Sequence, residues 1–150
     1  MIDHGALTDL LLEALGDALG GSDLEPLVGD GAAPADGGWL HGQPGSGVYR
    51  PYVVVVSRGA SPQWNDLVDE GTWSVGFELR SFGGSRRQAD LMAHMARLAV
   101  DGLVTGQSFG TPVGKVVGTQ WVSLGAVVRV DATAPPTWQV FDTITLVCGS

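Results

Sequence analysis

Residues 72–102 read TWSVGFELRSFGGSRRQADLMAHMARLAVDG, and the fold is read outward from them. Trp73, Val75, Phe77 and Leu79 alternate with Ser74, Gly76, Glu78 and Arg80, which predicts a strand with one apolar and one wet face. Phe82-Gly83-Gly84 ends the alternation, and Ser85 followed by Gln88 has the spacing of a helix capping box. Leu91, Met92, Met95, Leu98 and Ala99 then recur at helical spacing as the apolar face, and Gly102 supplies a stop. A strand, a turn and an amphipathic helix within about thirty residues make a folding unit but no active site.

On the N-terminal side, Ala6, Leu7, Leu10, Leu11, Ala14, Leu15, Ala18 and Leu19 form an apolar stripe on a helix over 3–19, capped by Asp3. Ser22–Val48 is rich in Gly, Pro, Ala and Asp, has no period, and reads as one long loop, with Trp39 as its largest side chain. Tyr52–Ser57 (YVVVVS) is a β-branched run expected to be a central strand buried on both faces. A loop over Gly59–Gly71 follows, carrying Trp64, Asp66, Asp69 and Glu70.

On the C-terminal side, 103–114 reads as a second loop. Lys115–Ser123 and Ala126–Asp131 read as two strands joined by a tight hairpin at Leu124-Gly125. Thr133-Ala134-Pro135-Pro136 predicts an extended link, and Trp138–Cys148 a long alternating last strand. The sum is a single α+β domain over 1–150: a mainly antiparallel sheet of about five strands, two principal helices packed on it, and long loops.

The 150 residues suit one domain, and 44% hydrophobic content suits a full core. No apolar run reaches the roughly 18 residues of a membrane span. The first 19 residues carry four acids and no Lys or Arg, unlike the positive start of a signal peptide, so a cytosolic product is expected. The single Cys148 leaves no internal disulfide and no Cys cluster for zinc, and reads as a core thiol. All of the net charge of −8 lies in residues 1–49, which hold eight acids and no Lys or Arg. A phosphate-gripping surface needs a basic patch, and Arg86-Arg87 are the only adjacent bases.

The chemistry-bearing residues do not gather in sequence. His4, His41 and His94 are far apart, and His94 with Asp90 is a pair, not a zinc site. No G-x-S-x-G elbow occurs, and Gly45-Ser46-Gly47 lacks the lysine of a phosphate loop. Phe82-Gly83-Gly84-Ser85 leads into a helix N-terminus that could hold an anion, but the same residues serve as a turn and cap. No catalytic, metal or cofactor residue is assigned, and no enzyme activity is expected. Arg86 and Arg87 oppose the dipole of their own helix, so an inter-subunit bridge to Asp66, Asp69 and Glu70 is the expected use, with Trp64 as interface anchor.

An acidic first helix, then PYVVVVSRG (51–59), then WSVGFELRSFGGSRRQADLMAHMARLAV (73–100), then a Pro-linked TWQVFDTITLVC (137–148) resembles, over nearly the full length, the tail-terminator proteins of long-tailed phages. Seven Arg against one Lys, with abundant Ala, Gly, Val and Pro, indicates a G- and C-rich genome, such as that of an actinobacterium or its phage. The resemblance implies a structural virion protein. It would form a homo-oligomeric, six-membered ring that caps the tail tube, ends tube polymerisation and joins the tail to the neck of the head. Its partners would be the major tail tube protein and a neck or head-completion protein, with DNA passing through the ring unbound and no membrane involved. Its place would be the virion tail at the head–tail junction, after assembly in the host cytoplasm. Another head–tail connector is the alternative in the same setting; a small ligand-binding or enzymatic α+β domain is the alternative outside it.

Overall fold

The quoted stretch folds as its alternation and cap predict. In a computed structural model that describes residues 2–19, 28–39, 42–45, 47–62, 72–103, 106–111, 113–132 and 134–149, Trp73–Gly83 is a strand and Arg86–Asp101 a helix. In chain order the elements are α1 (His4–Leu19), β1 (Val28–Asp30), β2 (Gly38–Trp39), β3 (Tyr49–Arg50), β4 (Tyr52–Pro62), β5 (Trp73–Gly83), α2 (Arg86–Asp101), β6 (Ser108–Phe109), β7 (Gly114–Ser123), β8 (Val128–Val130) and β9 (Thr137–Gly149). Seven strands form one sheet in the order β1-β4-β5-β9-β7-β6, with β8 also beside β9, while β2 and β3 pair separately. Only β1–β4 is parallel; the other pairs are antiparallel. The fold is therefore α+β with two helices on a mostly antiparallel sheet. It has more strands than the five expected, because short pairings occur inside segments read as loops.

One face of the sheet is the core. Val53 and Val55 of β4, Val75, Phe77 and Leu79 of β5, and Ile144, Leu146 and Cys148 of β9 lie in one buried cluster with Leu7, Leu11 and Leu15 of α1 and Met92, Ala96 and Val100 of α2. Burial of the Cys148 thiol pushes its pKa up to about 11, so it stays protonated and inert. Val54, between two inward valines, is buried too, in keeping with a central strand.

Several boundaries differ from the sequence reading. β4 runs on to Pro62 through a bulge between Ser57 and Gly59, so the strand takes in part of the expected 59–71 loop. The segment 22–48 is not featureless: Val28–Asp30 adds a parallel strand to β4, and Gly38–Trp39 pairs with Tyr49–Arg50. β6 likewise falls inside the expected 103–114 loop. The hairpin at Leu124-Gly125 does not form. β7 and β8 both pair with β9 on the same side, Ser123 opposite Thr143 and Val128 opposite Gln139. They are two halves of one edge, separated by a jog. A two-residue hairpin needs left-handed backbone, and Gly125 is not among the positive-φ glycines. It is instead pressed onto β9, where a Cβ would lie 2.2 Å from the Phe141 carbonyl oxygen. The chain reverses one link later, since Val130 pairs with Thr137 across the proline segment that was read as extended.

α2 is rotated relative to the expected apolar stripe. Its buried arc is Ala89, Met92, Ala93, Ala96 and Val100, while Leu91 and Leu98 are 54% and 57% exposed. At its start the helix lies close against the end of β5: a Cβ on Gly83 would sit 2.4 Å from the backbone nitrogen of Ala89. There Ala89 and Ala93 pack beneath the helix with Val140, and Met92, Ala96 and Val100 enter the main core. The cap is as expected at Ser85, whose Oγ accepts from Gln88 N–H at 3.1 Å. The return bond differs, because Gln88 Oε1 accepts from Gly84 N–H at 2.8 Å rather than from Ser85. Ser85→Ala is expected to lower stability by about 1 kcal/mol, read from a denaturant midpoint; an unchanged midpoint would show that the Gly84–Gln88 bond alone starts the helix.

Asp3 caps α1 and reaches a second segment. Its Oδ1 accepts from Ala6 N–H at 2.9 Å and its Oδ2 from Thr111 N–H at 3.2 Å. These bonds, Ala6 first, hold the carboxyl below its ordinary value of 3.8. A carboxyl depressed on folding stabilises the fold above its unfolded pKa, and that contribution is lost as pH falls through the lower folded value. Asp3→Asn keeps an acceptor but cannot titrate. It is expected to flatten the acid limb of stability below about pH 4 and to change the neutral midpoint less; an unaltered acid limb would refute the assignment.

Candidate subunit interface

The residues expected at an interface separate into two groups. Arg86 and Arg87 lie in the first turn of α2 and are exposed, and neither is ion-paired with another described residue. Trp64, Asp66, Asp69 and Glu70 lie outside the described residues, as does His41. His94 is exposed on α2.

Among the described residues, three surfaces group apolar side chains that are exposed or half-buried. The first is the outer face of α2. Arg87, Leu91, His94 and Leu98 follow one another every three or four residues on the side away from the sheet. The second is a groove of about 420 Å³ between α1 and the C-terminal half of α2, containing Leu10, Ala14, Ala99 and Leu103 with Glu13 and Asp17. The third is the far edge of the sheet. β6 and Gly106–Gln107 before it bond β7 at Gly114, Lys115 and Val116, while Val117, Val122 and Leu124 are 53%, 62% and 55% exposed. No charged residue occurs from Val116 to Val128, so this edge lacks the lysines and acids that usually keep strands from pairing.

The outer sheet face is already balanced. Glu78 accepts from Arg58 at 2.9 Å and also from Arg80, and the Arg80 guanidinium lies 5.0 Å from the centre of the Phe141 ring. Phe82 stacks on Tyr52 at 4.8 Å and meets Phe141 edge-on. Trp39 packs edge-on against Tyr49 in the small hairpin. Its neighbourhood at the start of α2 is occupied by the cap bonds of Gly84, Ser85 and Gln88.

Two side-chain constellations were not foreseen. His4 Nε2 lies 3.0 Å from Ser57 Oγ, in a cleft of about 300 Å³ with Asp9 and Asp30. A histidine can activate a serine, but the ring must be oriented by a third group, and no carboxylate is hydrogen-bonded to the His4 ring among the described residues. The second is a buried ion pair. Arg97 Nε and Nη2 donate to Asp142 Oδ2 and Oδ1, both at 2.8 Å, and Gly125 N–H donates to Oδ1 at 2.8 Å. Arg97 also donates to the Gly125 carbonyl at 3.3 Å. Asp142 is fully buried, and its hydrogen bonds first, then its charge, raise the Arg97 pKa. This network ties α2, β9 and the β7–β8 jog together. Its sequence signal is the acid among the otherwise apolar inward residues of β9, Val140, Ile144, Leu146 and Cys148.

Among the described residues, no group of three His, Cys, Asp or Glu could hold a metal ion, and no helix is long and apolar enough to cross a membrane. No protein-family profile and no curated protein matches the chain.

Proposed function

We propose that this chain is a structural virion protein that assembles into a ring on a phage tail tube, ends tube growth and offers a surface to the neck of the head. The observation that carries the reading is the distribution of uncovered apolar side chains. Leu91 and Leu98 stand on the helical layer, and Val117, Val122 and Leu124 along an uncharged sheet edge, of a domain whose core is otherwise closed. Such surfaces mark association. Two unlike sticky surfaces on one chain suit heterologous contacts that close into a ring. The order of segments, the α+β fold and the acidic first third support the same reading, since like charge favours passage of DNA over retention.

Native mass measurement of the purified chain, alone and with its tail-tube subunit, tests this. A closed oligomer, six copies being expected, that also binds the end of the tube supports the proposal. A monomer at all concentrations that ignores the tube overturns it. A ring that binds a neck protein but not the tube would favour another head–tail connector.

A further inference from the structure

Two of the three surfaces lie on the helical layer, and both set apolar side chains beside charge, basic on one and acidic on the other. The ridge on α2 begins with Arg87 and continues through Leu91 to Leu98, with Arg86 beside its start, and neither arginine is ion-paired with another described residue. The groove between α1 and α2 is apolar at Leu10, Ala14 and Leu103 and acidic at Glu13 and Asp17. Asp9, Glu13 and Asp17 recur every four residues on α1 and are all exposed, and none is ion-paired with another described residue. Four residues of helix are about 6 Å. That is the step from Arg87 to Leu91 on the ridge and from Glu13 to Asp17 beside the groove. A leucine seated in the groove therefore carries an arginine alongside a carboxylate, in the way helix ridges enter helix grooves.

Resting on the ring reading above, we infer that the groove between α1 and α2 receives the α2 ridge of a second copy of this chain, with Leu91 in the groove and Arg86 and Arg87 against Glu13 and Asp17. The partner is a copy because each chain holds both halves of the match. Residues 1–49 contain no Lys or Arg, so the acids of α1 find no counter-charge in their own segment. α2 provides an adjacent pair of arginines with no acid bound among the described residues. Ridge and groove are unlike surfaces, so each copy can engage one neighbour with each, and the contact is heterologous. The charges set register and partner choice, and the leucines supply the apolar burial. The counterpart expected from the sequence, Asp66, Asp69 and Glu70, lies outside the described residues.

The test uses the full chain and reads its mass by sedimentation across a concentration series, with circular dichroism as the folding control. Arg86→Glu with Arg87→Glu, and separately Glu13→Lys with Asp17→Lys, are each expected to raise the concentration of half-assembly at least about tenfold, a change of about 1.4 kcal/mol. The chain carrying all four reversals is expected to assemble again, and so is an equimolar mixture of the two double variants. Leu91→Ser with Leu98→Ser changes no charge at two exposed positions and is expected to have an effect of at least about tenfold. Wild-type rings whose assembly neither charge reversal alters would overturn this contact while leaving the ring reading intact. A wild-type chain that never self-associates overturns both.

Discussion

Arg97→Met is expected to lower unfolding free energy by about 3–5 kcal/mol. Asp142 has no exposed surface, and Arg97 supplies two of the three hydrogen bonds its carboxylate accepts. Without the guanidinium a buried anion keeps one backbone N–H for company. The reverse change is milder. The Arg97 side chain is 24% exposed and can turn toward water, so Asp142→Leu mainly strands the N–H of Gly125, at about 1–3 kcal/mol. Arg97→Met with Asp142→Leu removes both charges and is expected to recover most of the larger loss, as apolar replacements of buried pairs do. Denaturant midpoints of the two single variants and the double variant, analysed as a cycle, check this. Equal losses in the single variants with no coupling would mean that the pair is held by solvent rather than by the core. The jog between β7 and β8 should loosen with the pair, because Gly125 is bonded to both partners.

The parts of the fold that were legible in the sequence are those where one physical rule acts alone. Period-two alternation placed β5 and β9, the run of valines placed the core of β4, and Ser85 placed the start of α2. Illegible parts are those decided by a neighbour. Val28–Asp30 is too short to show a period and is a strand only because β4 offers an edge to it. Leu124-Gly125 sits between two strand-like runs, as a hairpin turn would, yet both runs bind β9 instead of each other. The face of α2 differs from the expectation because hydrophobicity favours Leu91 and Leu98, while the helix turns Ala89, Met92, Ala93, Ala96 and Val100 to the sheet. That difference matters for the interface, since it moves two leucines from the core to the surface. Arg86 and Arg87 were legible as cations working against their helix dipole. Their match to α1 was not, because it depends on a groove between helices about seventy residues apart.

Phe77→Ala is expected to cost about 3–5 kcal/mol, in contrast to Leu91→Ala, which should leave the monomer within about 0.5 kcal/mol. Phe77 is fully buried at the middle of β5, the strand held between β4 and β9. Its inward face lies in the same cluster as Leu7, Leu11 and Leu15 of α1 and Met92, Ala96 and Val100 of α2, and its ring centre is 5.9 Å from that of His4. Removing the ring leaves a void that neither helix can fill cheaply. α2 is in backbone contact with the end of β5 where Ala89 meets Gly83, and α1 is tethered at its start by Asp3 to both Ala6 and Thr111. For a chain of this size the melting temperature should fall by about 2–4 °C for each kcal/mol lost. Leu91 has more than half of its surface in water and holds no element to another within the monomer. Thermal unfolding of the two variants at a concentration below assembly separates core from interface. A loss near zero for Phe77→Ala would mean that the helices repack over the sheet. A large loss for Leu91→Ala in the monomer would return that residue to the core and remove the ridge on which the subunit contact depends.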